Sequence, residues 1–361
     1  MRLEKAYIIA EAGVNHNGNP DMAFQLIDAA VDAGADAVKF QTFRADQLVT
    51  ESAEKAEYQK QTTDSDESQF EMLKKLELSY EVHCELFRYC KEKEIDFLST
   101  AFDSHSLDFL ANDIGLEVLK IPSGDITNAP LVLEHARTGC NLIVSTGMAT
   151  LGEVETVLGV IAFGLLADPN IVPGHKAFKN AFFSELGQKK LKEKVILLHC
   201  TTEYPAPVED INLAAMDTLR WSFGLPIGYS DHSEGIVIPI AAVARGAVLI
   251  EKHFTLDRNL NGPDHKASLE PIELKSMIQS IRIVEASLGD GIKGPRPSEL
   301  KNIEIARKSV VAAEDIPKGS KFSKANLTIK RPGDGLSPME YWTLLGKKSP
   351  RDLKKGEKIS E

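Results

Sequence analysis

The sequence predicts a protein of the α/β class, a (β/α)8 TIM barrel followed by a small C-terminal domain. Eight short apolar runs rich in β-branched residues recur over the first 255 residues, and helical patterns separate them. Polar residues follow all eight runs, as expected where the carboxyl ends of barrel strands meet at one mouth. A change from acidic to basic charge near residue 295 marks the second domain.

The eight apolar runs define the predicted strands, which read AYIIA, DAVKF, IDFLS, EVLKI, NLIVS, KVILLH, LPIGY and VLIEKH. After the first run, Phe24, Ile27 and Val31 recur at helical spacing, and Gly34 suits the end of that helix. A doubly wound open sheet is the competing architecture. It seldom reaches eight regular units, and no GxGxxG pattern follows the first run.

The chain divides near residue 290. The predicted barrel takes residues 1–290, residues 291–298 (GIKGPRPS) form a linker, and residues 299–361 form the small domain. Within the small domain DIPKGSKFS, at 315–323, returns as DLKKGEKIS, at 352–360. This internal repeat predicts two similar halves related by a pseudo-twofold axis.

The small domain is basic, although the whole chain has a formal net charge of −11. Residues 295–361 carry 15 Lys and Arg against 9 Asp and Glu. A basic domain can bind nucleic acid, but this one lacks the interleaved aromatic residues that stack on bases. We therefore predict no nucleic-acid partner, and expect the domain to dock on an acidic domain or to hold an anionic substrate.

Composition predicts a cytoplasmic protein with no membrane partner. The apolar run near the start is too short for a secretory signal, and the stretch IVIPIAAVARGAVLI is interrupted by Arg245 and falls short of a membrane span. The four cysteines, Cys84, Cys90, Cys140 and Cys200, include no CxxC pair, which is typical of reduced thiols.

The strand ends carry polar residues of five kinds: carboxylates, lysines, hydroxyls, amides and imidazoles. In chain order they are Glu11, Asn15, His16, Lys39, Gln41, Ser99, Thr100, Lys120, Ser123, Ser145, Thr146, His199, Thr201, Thr202, Ser230, Asp231, His232, Glu251 and His253. Lysines, hydroxyls and the glycine-containing turns IPSGD and STGM indicate a cradle for phosphate and carboxylate groups.

His232 and His253 follow adjacent strands, so we expect them to share a divalent metal ion. Two imidazoles with open positions suit Mn²⁺ best, with Mg²⁺ or Co²⁺ as alternatives. A structural zinc site would need four closed ligands. A metal-dependent hydrolase would usually carry His-x-His after the first strand, where this chain has Asn15-His16-Asn17.

Nine motifs together resemble the sialic acid synthase family. They are AEAGVNHNG, VKFQT, KIPSGD, STGMAT, LHCTTEYPAP, GYSDHS, EKHFTLD, GPDHKASLEP and KRPGDG, and they span almost the whole chain. The resemblance implies an enzyme that condenses phosphoenolpyruvate with an N-acetylmannosamine-type sugar and water, to give a nonulosonic acid and phosphate. It also implies that the small domain is an antifreeze-like (SAF) domain.

The resemblance assigns a role to each matching residue. Glu11, Lys39 and Lys120 would be catalytic, and His232 and His253 would bind the metal. The residues that would hold phosphoenolpyruvate are Lys39, Thr100, Lys120, Ser123, Ser145, Thr202 and Ser230. Those that would contact the sugar are Gln41, Asp125, Tyr204, Asp264 and Arg331. Departures from the family pattern are Ala101 for proline, Asp125 where glutamate is common, Thr202 for asparagine, and Ile305 for an aromatic residue.

N-acetylmannosamine, giving N-acetylneuraminate, is the first choice of sugar. The alternative is 2,4-diacetamido-2,4,6-trideoxymannose, giving legionaminate, and the non-enzyme alternative is a carbohydrate-binding protein with a degenerate barrel. The resemblance further implies a domain-swapped homodimer in which Arg331 reaches the partner's barrel. Residues Arg44–Gln69 are a candidate lid at the mouth, and Ala167–Lys194 is predicted to be a peripheral insertion on the opposite face.

Overall fold

The computed structural model describes residues 5–64, 67–166 and 170–360, without the side chains of Tyr58 and Gln61. It divides into two compact units, Met1–Gly289 and Asp290–Glu361. None of the helices in the described residues is long and apolar enough to cross a membrane.

The first unit is a closed barrel of eight parallel strands, in the order of the chain. The strands are β1 Tyr7–Gly13, β2 Ala37–Thr42, β3 Asp96–Ala101, β4 Val118–Ile121, β5 Asn141–Ser145, β6 Val195–Cys200, β7 Ile227–Asp231 and β8 Leu249–His253. Each coincides with one of the eight predicted apolar runs. The barrel prediction is therefore confirmed, and the open sheet is excluded because β1 pairs with both β2 and β8.

Thirteen helices surround or cover the barrel. They are α1 Pro20–Ala33, α2 Ala45–Leu48, α3 Glu57–Thr62, α4 Gln69–Leu76, α5 Tyr80–Glu92, α6 Ser104–Asp108, α7 Ala129–Arg137, α8 Leu151–Leu166, α9 His175–Phe183, α10 Glu185–Lys194, α11 Ala215–Phe223, α12 Val237–Ala244 and α13 Pro271–Leu288, among the described residues. The first shows the expected local signals: Asn19 accepts hydrogen bonds at its start, and Gly34, at φ 83°, ends it.

Apolar side chains close the barrel below its mouth. A small buried cluster inside the barrel includes Ile9, Leu98, Ile143, Leu198 and Leu249, so the interior is packed and not a channel. Packing is tight enough that a Cβ on Gly228 would lie 2.5 Å from the side chain of Leu198. The larger core lies between the strands and the surrounding helices. Above this cluster, a cavity opens at the carboxyl ends of the strands.

Helices α2, α3 and α4 follow β2 and lie at this open end. They pack through a separate apolar cluster that joins Met72 and Leu76 of α4 to Val14 and Phe43 beside the strands. Within the segment, the buried Lys55 donates to Thr63 Oγ1 over 2.9 Å and lies 3.6 Å from Glu67. The helical segment at the mouth extends beyond the candidate lid Arg44–Gln69, because α4, which carries the packing residues, continues to Leu76.

The predicted insertion at 167–194 contains α9 and α10, with residues 167–169 outside the described part. Phe178 of α9 makes an edge-on contact with Phe163 of α8, at 5.3 Å between ring centroids. Because α10 ends at Lys194, directly before β6, the insertion lies on the amino-terminal side of the barrel, as predicted.

The second unit contains α14 Pro297–Ala306, β9 Ser309–Ala312, β10 Leu327–Lys330 and α15 Tyr341–Leu344, with β9 and β10 antiparallel. Its core is a small cluster that includes Val310, Ile316, Phe322, Leu353 and Ile359. Ile316 and Leu353, one from each copy of the predicted repeat, exchange two backbone hydrogen bonds.

The two copies of the repeat also bond each other reciprocally. Asp315 accepts a hydrogen bond from the backbone of Lys355 over 2.8 Å, and Asp352 accepts one from the backbone of Lys318 over 2.7 Å. The turn glycines of the two copies have nearly the same left-handed φ, 84° and 83°. This symmetry agrees with the two packed halves that the repeat predicts.

Candidate active site

A cavity of about 550 Å³ opens at the carboxyl ends of the barrel strands. Every predicted site residue except Arg331 lines it: Glu11, Lys39, Gln41, Thr100, Lys120, Ser123, Asp125, Ser145, Thr202, Tyr204, Ser230, His232, His253 and Asp264. Strand alternation places the residues that lie in strands on one face, and the loops that follow β4, β6, β7 and β8 add the others.

The floor of the cavity is a buried network of two lysines and two glutamates. Lys39 Nζ lies 2.7 Å from Glu11 and 3.5 Å from Glu251, and it donates to Thr100 Oγ1 over 3.0 Å. Lys120 Nζ lies 3.1 Å from Glu251. Glu251 therefore joins the two cations that face the cavity.

The two glutamates have opposite pKa shifts. Burial raises the pKa of Glu11 to about 7, and the negative charge of Glu251 adds to the effect. Burial alone would also raise the pKa of Glu251, but the ammonium groups of Lys120 and Lys39 outweigh it and hold that pKa below its ordinary range. Glu251 is thus a permanent anion, whereas Glu11 can gain or lose a proton near neutral pH.

Hydroxyl groups and a glycine turn form one wall. Ser123 Oγ accepts a hydrogen bond from Gly147 N over 3.0 Å, and a Cβ on Gly147 would lie 2.3 Å from Thr202 Oγ1. Glycine is therefore required for this close approach. Ser145 Oγ is buried and has no hydrogen-bond partner in the described chain, so it is free to bind a ligand.

Two imidazoles lie side by side at the mouth. The rings of His232 and His253 are 5.5 Å apart between centroids, and Tyr204 packs 4.1 Å from the His232 ring. His232 Nδ1 donates to the carbonyl of Thr201 over 2.6 Å, which leaves its Nε2 with a free lone pair. His253 Nδ1 is buried without a hydrogen-bond partner among the described residues, 3.8 Å from Asp264.

The charge state of these imidazoles fits metal binding. Burial lowers the pKa of His232 to about 4 and the pKa of His253 well below its usual value, so both are neutral near pH 7. The described residues contain no group of three or more His, Cys, Asp or Glu that could hold an ion. Two imidazoles with open positions suit an ion that also binds substrate oxygens, and do not suit a structural zinc site.

Comparison with known proteins agrees with the geometry. The chain matches the NeuB family over residues 26–293 and the SAF domain over residues 307–361. It belongs to the NeuB family. It is 50% identical over 359 residues to N,N'-diacetyllegionaminic acid synthase of Campylobacter jejuni, covering 99% of this chain and 100% of that protein.

Two further relatives cover most of the chain. The N,N'-diacetyllegionaminic acid synthase of Legionella pneumophila is 45% identical over 97% of this chain and 92% of its own length. A crystal structure of N-acetylneuraminic acid (sialic acid) synthetase from Leptospira borgpetersenii, in complex with citrate, matches with a TM-score of 0.66 and 36% identity, over 83% of this chain and 90% of that one. This NeuB-family chain is a synthase that forms a carbon–carbon bond between phosphoenolpyruvate and a sugar.

The NeuB-family cavity also has an apolar wall that sequence analysis missed. Its residues are Leu48, Val49, Met72, Leu73 and Leu76, from α2, α4 and the residue after α2, and we call them the apolar wall. The wall lines the same cavity as Gln41 and Asp264. The helical spacing of Met72, Leu73 and Leu76 was a usable signal, but it lay beyond the predicted end of the lid.

Two further residues near the strand ends differ in position. Asp231, one of the strand-end polar residues, alternates to the face opposite Ser230 and His232 and pairs with the buried Lys252. Cys200, interpreted as a core residue, is buried but also lines the cavity, with Sγ 3.1 Å from Ser123 Oγ.

Three predicted sugar-binding residues differ in their surroundings. Asp264 is buried, which raises its pKa to about 6. Asp125 is half-buried and accepts a hydrogen bond from Asn128 over 3.0 Å. Arg331 follows β10 in the second unit, where its side chain is exposed and its Nε donates to the carbonyl of Ala306 over 3.0 Å.

Proposed function

We propose that this enzyme is an N,N'-diacetyllegionaminic acid synthase. It joins phosphoenolpyruvate to 2,4-diacetamido-2,4,6-trideoxymannose, with water, and releases phosphate. The apolar wall is the observation that carries the proposal, and the two legionaminate synthases among the relatives support it. N-acetylmannosamine, the first choice from sequence, is the competing sugar.

The two sugars differ at C4 and C6, where N-acetylmannosamine has hydroxyls and the diacetamido sugar has an acetamido group and a methyl. A hydroxyl placed against leucine, valine and methionine side chains loses hydrogen bonds to water without replacement. A methyl buried there instead contributes about 0.8 kcal/mol. An apolar wall in the cavity that Gln41 and Asp264 also line therefore favours the sugar with methyl-bearing substituents at both positions.

Phosphoenolpyruvate is held in the cationic half of the cavity. Lys39 and Lys120 face its phosphate and carboxylate, and the hydroxyls of Thr100, Ser123, Ser145, Thr202 and Ser230 complete the anion site. The free Oγ of Ser145 supports this assignment. These fixed charges stabilise the substrate while positive charge develops at C2 of phosphoenolpyruvate.

Glu11 is the proton acceptor for the water that adds at C2. Its buried position beside Lys39 and its raised pKa support this role. Glu251 stays ionised and holds Lys39 and Lys120 at their separation, and it also accepts a hydrogen bond from Ser230 Oγ over 2.9 Å. Among the described residues, no hydrogen bond joins Glu251 to either imidazole.

His232 and His253 hold a divalent ion, with Mn²⁺ preferred to Mg²⁺ or Co²⁺. Such an ion would polarise the aldehyde oxygen of the open-chain sugar. Gln41, Asp125, Tyr204 and Asp264 orient the sugar from the surrounding strand ends. Arg331 meets its N-acetyl group from the partner subunit of a swapped homodimer, a role that the family resemblance supports.

The test is phosphate release from phosphoenolpyruvate with a panel of three sugars: N-acetylmannosamine, its 6-deoxy derivative and the 2,4-diacetamido sugar. Each apolar group that the wall buries is worth roughly 10- to 200-fold in kcat/KM. We expect kcat/KM to rise stepwise along the panel. A higher kcat/KM with N-acetylmannosamine than with the diacetamido sugar would contradict the proposal.

A further inference from the structure

A fully buried ion pair lies behind the two imidazoles. Lys252 Nζ is 2.6 Å from Asp231 Oδ2, and neither side chain is exposed to solvent. Ser230 and His232 of one strand end, and Glu251 and His253 of the next, face the cavity. Alternation therefore turns Asp231 and Lys252 to the other side of the barrel wall, toward the surrounding helices.

The pair is the centre of a larger polar network. Asp231 accepts hydrogen bonds from Tyr229 OH over 3.1 Å and from Ser233 Oγ over 2.8 Å. Lys252 Nζ also donates to the carbonyl of Ser233. All four side chains are buried, so the network is shielded from water and keeps a defined geometry.

This network holds the backbone on both sides of His232. That histidine lies one residue beyond the end of β7, where strand pairing no longer fixes it. Lys252 bonds the side chain of the preceding residue, Asp231, and the carbonyl of the following one, Ser233.

The same lysine is joined by a peptide bond to His253. Asp231 and Lys252 are the last pair of residues in the register of β7 and β8. The ion pair therefore connects the two strands one residue before each histidine. One side chain therefore links the segments of backbone that carry the two histidines.

We propose that Lys252 is a positioning residue which, with Asp231, fixes the separation of His232 and His253 for a divalent ion. This inference rests on the metal site of the proposed function. Stability alone is a poor reason for such a pair, since replacing a buried ion pair by uncharged side chains of similar size is often neutral.

The experiment compares the double variant Asp231→Asn/Lys252→Met with the wild type. The double change removes both charges and so avoids leaving one buried charge unpaired, which Lys252→Met alone would do. The matched control is Asp36→Asn/Arg282→Met, which removes a 2.9 Å ion pair at the other end of the barrel. Three quantities are measured: Mn²⁺ affinity without substrate, phosphoenolpyruvate affinity without metal, and the melting temperature.

We expect the double variant to fold and to bind Mn²⁺ about 10- to 100-fold more weakly, as for other residues that orient metal ligands. Its affinity for phosphoenolpyruvate should stay within about twofold of wild type, and the control should match wild type in both affinities. Wild-type Mn²⁺ affinity in the double variant would overturn the inference. A double variant that does not fold would also overturn it, because the pair would then support the barrel itself.

The parent proposal is checked separately with His232→Ala and His253→Ala. Both should lose Mn²⁺ binding while the wild type retains it. If the wild type binds no Mn²⁺, the metal site fails and the inference fails with it. If the wild type binds Mn²⁺ and only the double-variant result is negative, the role of Lys252 alone is contradicted.

Discussion

At the scale of single residues, Glu11 and Glu251 show how one buried network gives two carboxylates different tasks. Both are close to Lys39, but only Glu251 is also paired with Lys120. Two paired cations offset the effect of burial on the pKa of Glu251, whereas Glu11 is paired with Lys39 alone, feels Lys120 more weakly and lies near the anionic Glu251. Glu11 can therefore gain or lose a proton while Glu251, which is paired with both lysines, stays ionised.

Replacing Glu11 by glutamine tests this difference through the pH dependence of activity. A carboxylate accepts a proton only when it is ionised, so kcat/KM for phosphoenolpyruvate should fall as pH drops below about 7, the pKa of Glu11. Glu11→Gln should lower kcat/KM about 10²- to 10⁴-fold, and its residual activity should lack that inflection. The control, Glu155→Gln on the exposed surface of α8, should keep the wild-type profile. An unchanged profile in Glu11→Gln would exclude it as the base.

At the scale of secondary-structure elements, α2 and α4 determine one side of the substrate cavity. Their packing on Val14 and Phe43 anchors them at the mouth, so the apolar wall is a fixed surface. Under the proposed function, sugar selection would therefore depend on helices outside the regular barrel.

Leu73→Asn tests the contribution of the wall. Leu73 is half-buried and lines the cavity, so asparagine there should change the cavity surface more than the fold. We expect KM for the diacetamido sugar to rise about tenfold, which is the size of effect expected when one apolar contact worth about 1–3 kcal/mol is lost. KM for phosphoenolpyruvate should stay constant. Leu186→Asn, in the exposed first turn of α10, is the matched control and should change neither value. Equal losses for both substrates in Leu73→Asn would point to a damaged fold instead of altered recognition.

The sequence allowed the strands to be predicted because each is buried on both faces and reads as a short apolar run between turns. It did not reveal the apolar wall, whose residues lie in short helices beside a polar segment and gain meaning only from their position over the mouth. The site was predictable where alternation was applied, as for Lys39 and Gln41. The same alternation separates Asp231 from Ser230 and His232, but the sequence analysis did not identify its buried partner Lys252, because nothing in the sequence pairs the two side chains.

At the scale of the whole molecule, the position of Arg331 in the second unit raises the question of which barrel it serves. The proposed swapped homodimer predicts complementation between two inactive variants. Arg331→Ala should lose sugar binding, and His232→Ala should lose the metal. If Arg331 acts on the partner's barrel, a dimer of one variant with the other has one site that lacks both Arg331 and His232 and one site that has both.

Mixing the two variants under subunit exchange should therefore restore phosphate release to about a quarter of the wild-type rate, since half of the dimers are mixed and each has one intact site. Each variant alone, treated in the same way, is the control. If mass measurement shows mixed dimers and they remain inactive, Arg331 acts on its own barrel.

The reciprocal bonding within the second unit has a consequence for how the protein is made. Asp315 bonds the turn of the later copy of the repeat, and Asp352 bonds the turn of the earlier one, while Arg331 lies between the two copies. Each copy closes its own turn with one backbone hydrogen bond, Ser320 N to Pro317 O and Glu357 N to Lys354 O, but the aspartate that bonds each turn comes from the other copy. We therefore expect this unit to be complete only after the ribosome has made the later copy. Limited proteolysis of a chain stopped between the two copies should cut the remainder that follows the barrel. Under the proposed function, Arg331 would be held in place for the sugar only in chains that contain both copies.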